Sequence, residues 1–430
     1  MNYAFPAALA DQVISRWGTF VARHDRPAPP LPSVEQLHFI LETAFFASFA
    51  REEGRELRFV MCCATRDTVL TDAVGEPVPV IAFDTPRPLS LDAVRALAPA
   101  VSPTNAAMLV HFGEGTSSVI AGVLNVASSL ARARSGRSIY QRPAPYALVI
   151  DVRDAGELHV YRGGIKLASL KSGSLQDQLG FSELEFLPLG EILSAGLDAM
   201  RPRIAPPEGE PERETSDFEW TALLNTVLSM VNGLEAHGHG GTLLIVSPSG
   251  ERTLPVRMKF NVDEKHSVLA NRFVTFLNAR NERTTAKLTR GGDESSLALA
   301  RARDAVFFAE EGLADATDLV ARLSAVDGAL VVSSDLRVLG FGAEIVLDAA
   351  RPVAAFEATG HVNRPSGWSE IDSESFGMRH RSALRCVAVA EHAAAFVVSQ
   401  DSTVSFFWKH DGRVRLKRGV TTANPNAGGD

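Results

Sequence analysis

Three short stretches in the last third of this 430-residue chain carry residue types suited to phosphate chemistry. In Asp327-Gly328-Ala329, a carboxylate stands beside two small residues, where a helical pattern ends and a buried strand begins. Such a carboxylate can hold a divalent cation or take a proton from a hydroxyl. Small neighbours let backbone amides come close to a ligand. The plain alternative is a turn, the usual role of Asp-Gly. In Gly377-Met378-Arg379-His380-Arg381-Ser382-Ala383, two arginines flank a histidine at the apparent start of a helix. Guanidinium forks match phosphate oxygens, and a helix N-terminus favours anions. A solvated basic helix face would look the same. Ser399-Gln400 closes a buried strand with a hydroxyl and an amide, either phosphate or base contacts or a polar turn.

These stretches need a sheet and flanking helices to bring them together. Residues 201–217, RPRIAPPEGEPERETSD, have linker chemistry and divide the chain into a first half, 1–200, and a second, 218–418. Both halves open with helical periodicity, over Ser33–Arg51 and over Phe218–Leu234. Each helix leads into a strand, Leu57–Met61 and Thr242–Val246. Asn105-Ala106-Ala107 in the first half parallels Asp327-Gly328-Ala329, and strands at Ala147–Ile150 and Ala395–Val398 follow. The spacings differ: 42 positions from Asn105 to Ala147, but 68 from Asp327 to Ala395. A weak internal repeat is expected, with the extra length around 349–372. Ser295–Ala325 predicts two amphipathic helices separated near Gly312, and 362–376 predicts irregular chain. Leu330–Val332 and Val338–Gly340 predict paired strands, Arg379–Val389 a helix, and Thr403–Trp408 a strand. Mixed helices and short strands make an α/β sheet fold. The tail, 419–430, reads as disordered.

Bulk composition narrows the function. A net charge of −8 argues against a general nucleic-acid grip. Cys62, Cys63 and Cys386 fit neither a disulfide framework nor a zinc site, which points to a reducing cytoplasm. The first residues, MNYAFPAALADQ, lack a basic-then-apolar leader pattern, and there is no apolar run of about 18 residues for a membrane span. A cytoplasmic protein without membrane partners is expected. There is neither a P-loop nor a Gly-x-Ser-x-Gly elbow.

Taken in order, the three stretches resemble the diadenylate cyclase (DAC) family over about residues 218–418. That family is marked by a helix running into Asp-Gly-Ala, then Gly-Thr-Arg-His-Arg-Ala/Thr-Ala, then a strand ending in Ser-Glu or Ser-Gln. Ser399-Gln400 and Asp335–Leu339 look most like its DNA-integrity scanning branch. The resemblance implies a mixed sheet flanked by helices and two ATP joined as cyclic di-AMP at sites paired face to face in a homo-oligomer. It implies that Asp327 binds Mg²⁺ or Mn²⁺ and helps deprotonate the attacking hydroxyl. Arg379, His380 and Arg381 would hold phosphates. Gly328, Ala329, Gly377, Met378, Ser382, Ser399 and Gln400 would line the nucleotide site, and Ile345 would touch adenine. Met378 departs from the family's threonine. The first half lacks this equipment and resembles sensor regions found upstream of some bacterial DAC domains, or a degenerate copy of the same fold. A nucleotide-binding sensor without turnover is the rival reading.

Overall fold

Long apolar runs become central strands, and the helix preceding each run covers one face. The computed structural model describes residues 4–17, 29–52, 54–70, 78–101, 106–113, 117–125, 147–162, 165–171, 173–176, 188–206, 217–236, 240–263, 267–288, 293–346, 353–360, 365–399 and 403–420. The chain forms two compact units, the first ending at Gln178 and the second spanning Leu179–Thr422.

In the first unit, helices α1 (Pro6–Trp17) and α2 (Val34–Ser48) precede a small hairpin, β1 (Arg51–Glu52) and β2 (Arg55–Glu56). Helix α2 starts at a capping box in which the Ser33 and Gln36 side chains each accept a backbone N–H of the other residue. Its main sheet contains β3 (Phe59–Thr65), β4 (Val80–Pro88), β5 (Ala106–Phe112), β6 (Val119–Asn125), β7 (Leu148–Asp154), β8 (Glu157–Arg162), β9 (Ile165–Lys171) and β10 (Ser174–Gln176). Helix α3 (Leu91–Leu97) lies between β4 and β5 in the chain. The strand order is β10-β9-β8-β7-β3-β5-β6-β4, with β3 and β5 parallel and the other pairs antiparallel. Strand β3 is buried almost throughout, as its unbroken apolar run requires of a central strand.

The second unit contains α4 (Pro188–Met200), α5 (Asp217–Ala236), β11 (Gly241–Val246), β12 (Val256–Arg257), β13 (Phe260–Asn261), α6 (Val268–Leu288) and α7 (Asp293–Arg322). It continues through β14 (Ala329–Ser333), β15 (Val338–Ile345), β16 (Ala355–Gly360), β17 (Pro365–Ile371), α8 (Met378–Val389), β18 (Ala393–Val398), β19 (Val404–His410) and β20 (Arg413–Arg418). The order is β12-β15-β14-β11-β18-β19-β20-β16-β17, with β13 also on β15.

Seven positions of the two sheets share one wiring. The central strand (β3 or β11) has a parallel neighbour (β5 or β14) on one side. On its other side an antiparallel meander follows, β7-β8-β9 or β18-β19-β20. The next strand out (β6 or β15) carries an edge strand drawn from the loop after the central strand, β4 or the β12 and β13 pieces. One register irregularity recurs. A register shift follows Leu109 in one copy and Val331 in the other. The residue facing each is a glycine, Gly122 and Gly340. A Cβ on Gly122 would lie 2.4 Å from the Ile81 carbonyl oxygen, and one on Gly340 would lie 2.2 Å from the Met258 sulfur. In both places the edge strand crosses too closely for a side chain.

Several expectations need correction. The second unit starts before residue 200: α4 packs on α5 and β19, and a Cβ on Gly196 would meet Ser334. Part of the expected linker is ordered, since Arg203 bonds Asn271, and the Ala205 backbone bonds Asn278 and Asn281. Residues 207–216 lie outside the described residues. The stretch 295–325 belongs to one 30-residue helix, α7, which starts at Asp293, followed by a 3₁₀ turn, not to two helices. Gly312 sits inside it without a break, against the Arg272 side chain of α6. A glycine within a helix costs about 1 kcal/mol and does not by itself end it. Chain expected to be irregular at 362–376 supplies β17, hairpin partner of β16. This hairpin holds much of the extra length and extends the sheet beyond β20. In the expected tail, Val420 still bonds Val404, while 421–430 lie outside the described residues.

Candidate functional site

Strand register brings the sequence-singled residues to one end of the second sheet. Ala329 pairs with Thr242, Thr242 with Val397, and Val397 with Ser405, a row across β14, β11, β18 and β19. Three strand spacings make that row about 14 Å wide. Asp327 lies two residues before Ala329, just ahead of β14, and Ser399 two residues after Val397, just past β18. Helix α8 packs on this face through Ala383, Leu384, Cys386 and Val387, over Leu244, Ala395, Val397 and Phe407. It runs antiparallel to β18, which follows it, so its N-terminus arrives at the same end. His380 fixes the level, because its Nε2 shares a 3.0 Å hydrogen bond with Ser405 Oγ. Its ring stacks on Phe376 at 5.6 Å and meets Phe407 edge-on at 5.8 Å.

The two glycines of the motifs differ. Gly328 has φ +125°, and a Cβ there would lie 2.4 Å from the Gly342 carbonyl carbon. The fold itself therefore requires glycine, and the close approach is to strand β15. Gly377 caps α8 with φ −62°, and a Cβ there would meet nothing within 4 Å. Packing makes no such demand at 377, and no side chain caps the start of α8.

The charged groups have definite partners. The Asp327 side chain is 94% exposed. Lys259, between β12 and β13, donates to the Asp327 main-chain oxygen at 3.0 Å, and its ammonium lies 3.9 Å from the carboxylate. Lys259 also approaches Glu344 at 3.8 Å, and Arg257 donates to the same Glu344. Sequence reading missed Lys259, because its partner is 68 positions away and nothing local marks it. Arg381 donates to Glu374 at 2.9 Å, and Arg385 donates to its other oxygen at 2.8 Å. The Arg381 hydrogen bond foremost, with Arg385, holds the Glu374 carboxyl below its ordinary range. Arg379 and Met378 are exposed, and Ser382 and Ser399 are half-buried. Ala329 is buried in the core beneath α8. Ile345 is half-buried and pairs with Val256 at the sheet edge. Gln400 lies outside the described residues.

No group of three or more His, Cys, Asp or Glu able to hold a metal occurs among the described residues. A lone exposed carboxylate still suits a cation delivered on nucleotide phosphates, since Mg²⁺ commonly takes one or two carboxylates plus phosphate oxygens.

Residues 26–125, within the first unit, match the family model described as "Probable sensor domain DACNV", a domain named for its association with DAC proteins. A search of curated proteins finds no match to the chain. The sensor match supports an association with diadenylate cyclase signalling. No described helix is long and apolar enough to cross a membrane.

Proposed function

We propose that the second unit is a diadenylate cyclase domain and the first its regulatory sensor, built on a degenerate copy of the same sheet. The observation carrying this reading is the convergence of Asp327, Ser399 and Arg379-His380-Arg381 at one sheet end, in a chain whose residues 26–125 match a sensor-type family model. The shared wiring and the matching glycines support the duplication.

In the proposed reaction two such sites face each other in a homo-oligomer, each holding one ATP. Each ribose 3′-oxygen forms a bond to the opposite α-phosphorus, the bond to the β-phosphate oxygen breaks, and two pyrophosphates and two protons leave. Asp327 accepts the hydroxyl proton and would hold the Mg²⁺ or Mn²⁺, whose charge offsets that of the phosphates. Arg379 and Arg381 bind phosphate oxygens, aided by the amides at the start of α8. His380 is fixed by Ser405 and two aromatic rings, and thereby orients the helix start. Gly328 and Ala329 set the path of the chain below the nucleotide. Gly377, Met378, Ser382, Ser399 and Gln400 line the site, and Ile345 borders the adenine. Catalysis is positioning and charge neutralisation, without a protein nucleophile. ATP as substrate and free, buried cysteines fit a cytoplasmic location.

One observation favours a second reading, nucleotide sensing without turnover. Arg381 is held by Glu374, and Met378 offers no hydroxyl beside it. Full-length chain incubated with ATP and Mn²⁺ separates the two. Cyclic di-AMP lost in Arg381→Gln supports the cyclase; tight ATP binding with no dinucleotide supports the sensor.

A further inference from the structure

The short strands β12 and β13 both pair with β15, and in one register: Arg257 faces Glu344, and Phe260 faces Phe341. Counting between those pairs puts Lys259 opposite Gly342. Gly342 has φ +62°, and a Cβ there would lie 3.2 Å from both Cβ and Cδ of Lys259. The lysine stem therefore crosses β15 at a glycine. Gly328, next to Asp327, closely approaches the same Gly342. That route fixes where the ammonium arrives, beside the turn that presents Asp327.

The ammonium stands between two carboxylates, 3.9 Å from Asp327 and 3.8 Å from Glu344. Its 3.0 Å hydrogen bond goes to the Asp327 main-chain oxygen, so it is committed to neither carboxylate. Glu344 also accepts from Arg257. Lys259 and Glu344 are 40% and 44% exposed, and Asp327 is almost fully so. An ammonium is a compact charge on a flexible stem, and exposed ion pairs are individually weak. Lys259 can therefore trade one carboxylate for the other at little cost. A divalent cation at Asp327 would repel an ammonium so close to the same carboxylate. Glu344 offers the displaced ammonium a partner within the same reach.

We propose that Lys259 is a positioning residue that braces the Asp327 turn and guards its carboxylate, and that Glu344 takes over the ammonium when a nucleotide-borne divalent cation reaches Asp327. The proposal rests on reading this sheet end as a nucleotide site, and it does not require turnover.

Calorimetric titration of the full-length chain with 3′-deoxy-ATP, with and without Mn²⁺, tests it. That nucleotide lacks the attacking hydroxyl, so binding is read without reaction. The quantity compared is the factor by which Mn²⁺ tightens nucleotide binding. Lys259→Met keeps the stem over Gly342 and is expected to raise that factor about threefold, while Glu344→Gln is expected to lower it about threefold. The double variant is expected to match Lys259→Met, because without an ammonium Glu344 has nothing to receive. Equal weakening by Glu344→Gln with and without Lys259 would show Glu344 acting through its own charge and overturn the proposal. So would a factor that falls in Lys259→Met. A wild-type chain whose nucleotide binding ignores Mn²⁺ would instead overturn the nucleotide-site reading, and the proposal with it.

Discussion

The two units share a wiring diagram but differ in where they place polar residues. In the second unit the row next to the sheet end is uncharged over Ala329, Thr242, Val397 and Ser405, with Arg418 only at its outer end, and the residues proposed for chemistry, Asp327, Ser399 and the start of α8, lie outside it. In the first unit charge moves into the row itself, as buried Asp151 and its partner Arg153. A sheet of this kind evidently tolerates either arrangement. What the fold fixes is the glycine pattern at close strand crossings; the polar inventory varies and carries function.

The largest expected stability effects lie in that difference. Asp151→Val places the second unit's residue type in the first but removes the carboxylate partner of Arg153, and is expected to cost about 3 kcal/mol, the low end for a broken buried pair because Arg153 is 26% exposed and keeps Tyr161. The double substitution Asp151→Val, Arg153→Val is expected to recover most of that loss. Denaturant melts of the three chains check this; a double variant no better than the single would show that the two sheets are not interchangeable at this level. Next is the glycine contrast. Gly328→Ala is expected to destabilise by about 2–4 kcal/mol through its positive φ and the clash with Gly342. Gly377→Ala should stay within about 0.5 kcal/mol. Equal effects at the two sites would remove the distinction between a glycine kept for folding and one in open ground.

A smaller effect is expected at Glu374. As an exposed ion pair, it should weaken phosphate binding only modestly, so Glu374→Gln is expected to tighten ATP binding about two- to fivefold. Its pKa is depressed, so the pair persists above the ordinary carboxylate range and is lost only as pH falls through the lowered value. Changing pH near neutrality should not substitute for the mutation, and an ATP affinity that doubles between pH 8 and 6 in wild type but not in Glu374→Gln would contradict this. The smallest effect concerns thiols. Burial pushes Cys62 and Cys386 up to about 12 and Cys63 well above its usual value, leaving all three as unreactive thiols at pH 8. Labelling with iodoacetamide should then wait for each unit to open. Fast labelling of Cys386 in native protein would show that α8 does not seal its sheet as described.

Much of this was legible in the sequence because the signals are local. The helix before each central strand, the unbroken apolar strands and the Arg-His-Arg helix start are read from neighbouring residues. The β16–β17 hairpin was not, because an edge strand is half-exposed and its polar residues look like loop. Gly312 misled because helix breaking by glycine is weak, and packing against α6 overrides it. Lys259 beside Asp327, and Asp151 at the place that Val397 takes in the other sheet, were invisible for another reason: both relations exist only once strand register is known.

The central claim is that the second unit makes a cyclic dinucleotide. Full-length chain at high concentration with ATP and Mn²⁺ or Mg²⁺, analysed by mass spectrometry, tests it most directly. The expected result is cyclic di-AMP and pyrophosphate, with a rate reduced at least about 100-fold in Asp327→Asn. ATP binding without any dinucleotide, or an unchanged rate in Asp327→Asn, would contradict it.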